Sequence, residues 1–238
     1  MMCVGARANE IKQQADSAYA QEQYAEAATL YLSLVSDSAQ SAYIYYNVGN
    51  CYYRMDSIAQ AILYYERARL LNPADKDILT NLEMARLKTV DKVAPASEMV
   101  VVTFFRTLML QMTVQGWAIL GVVMFVLMLV ALLGYFFLPS VAGRKVGFGV
   151  AVAALVVCLF ANVSAFQLRH NIRNRTGAVV MSASAVVKST PNHAGVDLFI
   201  LHEGTTVQVV DDTMHDWVEI HMTDGKEGWI PRADVEKI

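Results

Sequence analysis

The sequence predicts a multidomain chain: an all-α solenoid of repeated helix pairs, then a two-helix transmembrane hairpin, then a small all-β barrel. Three observations predict it. The first third of the chain repeats itself at a period of 34 residues, two 22-residue segments contain no Asp, Glu, Lys, Arg or His, and the last stretch changes to short β-branched runs broken by turn residues. The composition agrees. Of 238 residues, 55% are hydrophobic and 17% charged, which is more apolar than a soluble chain needs. The net charge of −3 is mild, and no basic stripe with interleaved aromatics points to a nucleic-acid partner. Cys3, Cys51 and Cys158 are too scattered for a disulfide framework or a metal or redox motif, and Cys51 and Cys158 read as small core residues.

Residues 1–8 open the chain as "MMCVGARA". Ala6-Arg7-Ala8 has the small-x-small pattern of a signal-peptidase site, so this stretch is expected to be a signal-peptide remnant.

Residues 9–90 carry the repeat. An offset of 34 pairs Ile11 with Tyr45, Ala15 with Gly49, Ala27 with Ala61 and Tyr31 with Tyr65. Tyr45, Val48, Gly49, Tyr52, Ala61, Tyr65, Ala68 and Pro73 occupy the large, small and proline positions of the tetratricopeptide repeat, which they resemble in all eight places. Small residues let the two helices of a unit approach, and aromatics fill the gaps between units. The first copy, around 8–41, is degenerate, with Gln14 and Ala39 where Leu and Pro are usual. "DKDILTNLEMARLK" repeats half a unit and is expected to cover the open end of the stack. The outward residues of the first helices, Lys12, Asp16, Tyr19, Tyr43, Tyr46, Asn50 and Tyr53, with Thr80 and Met84 beyond them, form the candidate protein-binding groove. Packing between helices accounts for the tyrosines equally well. Lys12 and Asn47 resemble parts of a two-carboxylate clamp for a peptide C-terminus, but Asp16 and Asp77 stand where an amide and a cation belong, so that clamp is not expected.

Residues 91–113 are expected to form a linker and a juxtamembrane amphipathic helix, because Val100, Val101, Phe104, Phe105, Leu108 and Met112 recur at helical spacing. A helix packed on the solenoid fits the same pattern. Residues 114–138 and 146–168 are the two transmembrane helices: each contains 22 uncharged residues, enough to cross a hydrocarbon core of about 30 Å. The loop 139–145 can only reverse the chain, so both flanks share one side. Arg144 and Lys145 favour a cytoplasmic loop, Arg106, Arg169, Arg173 and Arg175 pull the other way, and the signal remnant decides for exported flanks.

Residues 176–238 read as a five- or six-stranded small barrel with an Asp224-Gly225 hairpin turn. The "VKSTP" strand, Leu201-x-x-Gly204-x-x-Val207, Trp217-Val218 and Gly228-Trp229-Ile230 resemble the bacterial SH3 domain over Ala178 to Ile238. Such domains bind proteins or cell-wall peptides. Trp217 is the candidate ligand-face aromatic and Trp229 is assigned to the core, although a core role suits both. His202, His215 and His221 lack metal-like spacing, and no cofactor or metal site is expected.

The whole order, carried by "NCYYRMDSIAQAILYYERARLLNPADKDILTNLEMAR" and "DLFILHEGTTVQVVDD", resembles the BatE family of the Bacteroides aerotolerance operon. The resemblance implies a non-enzymatic bacterial inner-membrane protein with two passes and periplasmic tetratricopeptide and SH3 domains. Its implied partners are von Willebrand factor A-domain Bat proteins and a MoxR-type ATPase, in envelope stress tolerance. No GxSxG, HExxH, P-loop or Cys-His pairing suggests an enzyme. The expected function is an adaptor. A peptidoglycan sensor is the alternative, and a transporter subunit is a more distant one, since the two helices contain no buried Asp, Glu, Arg or Lys for a path.

Overall fold

The computed structural model describes residues 2–35, 41–92, 100–174 and 176–238. Ala39, residues 93–99 of the expected linker and Arg175 lie outside them. The described chain forms two compact units, one built from the first five helices and the C-terminal strands, the other from three intervening helices.

In the first unit the helices are α1 (Met2–Ala20), α2 (Tyr24–Ser33), α3 (Ala42–Arg54), α4 (Ile58–Leu71) and α5 (Lys76–Leu87). Residues 2–8, expected as a signal remnant, are turns of α1. The starts of α2 and α4, and of α3 and α5, are 34 residues apart. So are the left-handed residues that turn each pair, Glu22 (φ 62°) and Asp56 (φ 59°). The interactions repeat as well. Tyr31 Oη donates to Asp16 at 2.5 Å, and 34 residues on Tyr65 Oη donates to Asn50 at 2.8 Å. Arg54 pairs with Glu22 at 3.9 Å and Lys88 with Asp56 at 2.8 Å, the same contact one period later. The degenerate first copy therefore builds the same unit as the second. Gly49 is small because the Tyr65 ring lies 2.6 Å from where a Cβ would stand. Asp75 caps α5 by accepting from the amides of Asp77 and Ile78. Buried Glu66 pairs with Arg69 of its own helix at 2.7 Å and joins α4 to α5 through Arg86. Cys51 is fully buried, which pushes its thiol up to about 12 and leaves it a small core residue.

The second unit contains α6 (Val100–Met109), α7 (Val114–Phe137) and α8 (Val141–Asn174). Contacts of Trp117 with Phe160, Gly121 with Cys158 and Asn162, and Tyr135 with Phe148 run in opposite directions along α7 and α8, so the two are antiparallel. Gly147 permits the approach: a Cβ there would lie 3.0 Å from the Ala131 carbonyl oxygen. Both helices are long and apolar enough to cross a membrane, and only 11% and 22% of their most apolar 18-residue windows are buried. The core helix of a soluble protein would be mostly covered, so the exposed apolar surfaces are compatible with a two-pass membrane protein. The turn is shorter than expected. Ser140 Oγ accepts from Gly143 N and starts α8 at Val141, so Arg144 and Lys145 are helical, with Arg144 Nε donating to Leu138 O at 2.9 Å. An apolar count finds the span but not the polar turns that extend the same helix. The apolar side chains of α6 are exposed, from Val100 to Leu108, and Trp117 Nε1 donates to Met109 O at the helix end.

The remainder of the first unit is β1 (Gly177–Val180), β2 (Ser184–Lys188), β3 (Asp197–His202), β4 (Thr206–Asp211), β5 (Trp217–His221), β6 (Glu227–Pro231), a 3-10 turn over Arg232–Asp234 and β7 (Val235–Lys237). These seven strands, rather than five or six, form one antiparallel sheet in the order β3-β2-β6-β5-β4-β1-β7. At three residues, β7 is too short to show a period of two. Every strand sends a side chain into one cluster, including Val180, Val187, Leu201, Val207, Ile220 and Ile230 with Val235 beside them, so the sheet curls around its core. Gly225 takes φ 90° in the β5–β6 turn, as the Asp-Gly signal predicts.

The helices and the sheet share a second core. Strand β1 alternates: Ala178 and Val180 face into the sheet, whereas fully buried Val179 faces the helices and joins Ile62, Leu63, Leu82 and Ile238. Gly204, at φ 81°, fits against Thr89 and Ile62, where a Cβ would come within 2.7 Å of Thr89. Arg67 donates to Glu236 at 2.9 Å and to the Lys237 carbonyl at 2.6 Å. None of this contact is written in the sequence periods.

Candidate protein-binding groove

Helices α1, α3 and α5 are the first members of their pairs and carry the expected groove residues. At one end Lys12 Nζ lies 3.5 Å from Asp16 and 4.6 Å over the ring of Tyr43, whose hydroxyl donates to Asp16 at 3.3 Å. Asp16 thus collects Lys12, Tyr43 and Tyr31. Burial, and then the neighbouring Asp16, push the Tyr31 phenol up, so it remains a neutral donor. Tyr43 is 46% exposed and offers a ring face to an incoming chain.

In the middle, Asn81 Nδ2 donates to Tyr46 Oη at 3.1 Å and to Asn50 Oδ1 at 2.9 Å, and Tyr65 Oη donates to the same oxygen. Burial first, and then Tyr46, raise the Tyr65 phenol, which fixes the direction of that bond. Asn50 is accordingly a junction of three helices as well as a half-buried groove residue. At the far end Tyr53 lies under Lys88 Nζ at 4.6 Å, while Tyr19 packs edge-on to Tyr24 at 5.3 Å. The geometry brings Lys12, Asp16 and Tyr43 into one cluster and Tyr46 and Asn50 into another; Tyr53 and Tyr19 each pair elsewhere. Asn47 turns its amide onto its own helix, donating to Tyr43 O at 2.8 Å, so it presents no clamp. Tyr31 and Tyr65 are legible as repeat positions but not, with Asn81, as partners of the groove residues; the signal for the two tyrosines is the identical 15-residue spacing of Tyr31 to Asp16 and Tyr65 to Asn50.

In the β domain Trp217 is 7% exposed and lies edge-to-face under His193 of the β2–β3 loop, with ring centres 5.3 Å apart. Trp229 is half-buried across from Lys188 and Glu219. Trp217 is thus buried and Trp229 only half so: Val218 and Ile220 take the core side of β5, and Trp217 takes the other side, beneath a loop.

A last cluster escaped the sequence reading. The Asp91 carboxylate accepts from His202 N at 2.7 Å and Thr205 Oγ1 at 2.7 Å and lies 2.9 Å from His202 Nδ1. Burial works to raise its pKa, but the hydrogen bonds from His202 and Thr205 outweigh it and leave the carboxyl below its ordinary value.

Among known families, the tetratricopeptide repeat matches residues 42–75, which are α3, α4 and the turns that follow them. No curated protein matches the chain. The repeat supports a protein-interaction role for the helical stack, and such repeats are typically non-catalytic.

Proposed function

We propose that the chain is a two-pass membrane adaptor that captures a partner protein in the groove of α1, α3 and α5. The observation that supports this reading best is the exposed ring of Tyr43 next to a polar cluster, on a helical stack whose second unit matches a protein-binding repeat. In this reading α7 and α8 anchor the chain, α6 lies on the bilayer surface, and the C-terminal sheet is an SH3-like second binding module. The helices and strands of the first unit share a core, so both must face one compartment; two crossings deliver that arrangement. By the resemblance to the BatE family, the membrane is the bacterial inner membrane, the compartment is the periplasm, and the partners are von Willebrand factor A-domain membrane proteins in aerotolerance. A peptidoglycan-reading role for the β domain would need Trp217 open, and its cover by His193 argues against that role.

The test is copurification of the full chain from membranes with Tyr43 and Tyr46 replaced by Ala. Loss of the copurifying proteins with unchanged helical circular dichroism is the expected outcome; unchanged capture overturns the groove.

A further inference from the structure

Among the described residues of the apolar segment 146–168, two exposed side chains are amides: Gln167, near its end, bonds Asn171 at 3.5 Å, and Asn162 lies deeper. Asn162 lies on α8 and its side chain is exposed, beside Gly121 of α7, where a Cβ would stand 3.1 Å from Nδ2. Its depth follows from two references. It is level with Gly121, one turn or about 6 Å inside Trp117, and it stands six residues or about 9 Å inside the end of the apolar segment at 168. Both place it in hydrocarbon, where water cannot satisfy an amide.

The amide is half satisfied. Nδ2 donates to the Cys158 carbonyl of its own helix at 2.8 Å and touches Cys158 Sγ, a weak acceptor, at 3.6 Å. Among the described residues nothing donates to Oδ1. What remains is one acceptor and one N–H that is free apart from that sulfur, a set complementary to itself. The neighbours on this stripe of α8, Leu155 one heptad before and Phe166 one turn after, are apolar and exposed, so only the amide is left wanting.

We propose that Asn162 pairs with Asn162 of a second copy of this chain, joining two hairpins through α8. The symmetry favours this occupant. Two copies inserted the same way are related by an axis normal to the bilayer, which puts residue 162 of each at one depth, whereas an unrelated helix would need its own polar group at that level. Reciprocal Nδ2-to-Oδ1 bonds then satisfy both amides, and Leu155 and Phe166 close around them. The inference rests on the membrane reading but not on the groove.

The experiment uses the full chain in native membranes, with Cys3→Ser and Cys158→Ala, which leaves only the fully buried Cys51, and one cysteine introduced as Leu155→Cys, Phe166→Cys or Val157→Cys, the last on a different side of α8. Oxidation is expected to yield linked dimers from the first two and not from the third. Asn162→Leu should lower their yield about tenfold while Asn162→Gln retains it. Equal linking at Val157, links only to other proteins, or no effect of Asn162→Leu would overturn the pairing. Alkaline extraction of the same membranes reads the membrane assignment separately: release of the chain would overturn that assignment, and the pairing with it.

Discussion

Asp91 holds the β3–β4 turn against the end of the helical stack with one carboxylate, and its removal leaves the His202 amide and the Thr205 hydroxyl without their acceptor. Asp91→Ala is expected to cost about 2–3 kcal/mol, read by urea unfolding of the full chain with Trp117→Phe, so that the fluorescence reports Trp217 and Trp229. The pH dependence has a definite sign. The carboxyl lies below its ordinary 3.8 in the folded chain, so its contribution is complete above that value and is lost as pH falls through the lowered one. Acid melting should therefore lose its Asp91-dependent part only below about pH 4, and the Ala variant should lack that step. A second residue test is Gly49→Ala, which drives a methyl into the Tyr65 ring at 2.6 Å; overpacking of this kind costs about 1–3 kcal/mol, again measured by urea. Gly49 was legible because the repeat demands a small residue there. Asp91 was not, because a lone Asp after a helix has no periodic partner and its ligands stand 111 and 114 residues away.

At the scale of elements, α7 and α8 were the plainest part of the sequence, since two long uncharged apolar runs fix two long apolar helices, each long enough to cross a membrane. The ends were less plain: polar turns at 141–145 and 169–174 continue α8 beyond the lipid-facing count. Gly147 faces α7 backbone at 3.0 Å, so Gly147→Leu should wedge the hairpin apart and lower its melting temperature in detergent by several degrees, measured by a thermal aggregation assay. The helix pairs were legible from the 34-residue offset even where the first copy was weak, because the Tyr, Ala and acid or amide positions that make the repeated bonds persist. The core role expected of Trp217 is met by a buried ring, while Trp229 is half-buried. Alternation along β5 separates Trp217 from Val218, but which side a long loop covers depends on chain far away in sequence.

For the molecule as a whole, the decisive relation is that α4 and β1 pack together although the hairpin lies between them in the chain. Cysteine probes placed at Tyr43 and at Val196, both exposed, should react with a membrane-impermeant reagent from the same side of intact spheroplasts; labelling of only one would overturn the shared compartment. The two modules were each readable, one from its 34-residue period and one from its β-branched runs, yet their union was not, because Val179, Ile238 and Arg67 each satisfy a local pattern without announcing a distant neighbour. That union orders events during biosynthesis. Ile62 and Leu63 leave the ribosome well over a hundred residues before Ile238 does, which at about 5–20 residues per second is a wait on the order of ten seconds. Throughout that interval the nascent helical stack presents a bare greasy face, and it can be sealed only after α7 and α8 have been made. A chain stalled before its strands would therefore hand quality-control proteases an unfinished surface rather than a stable fragment.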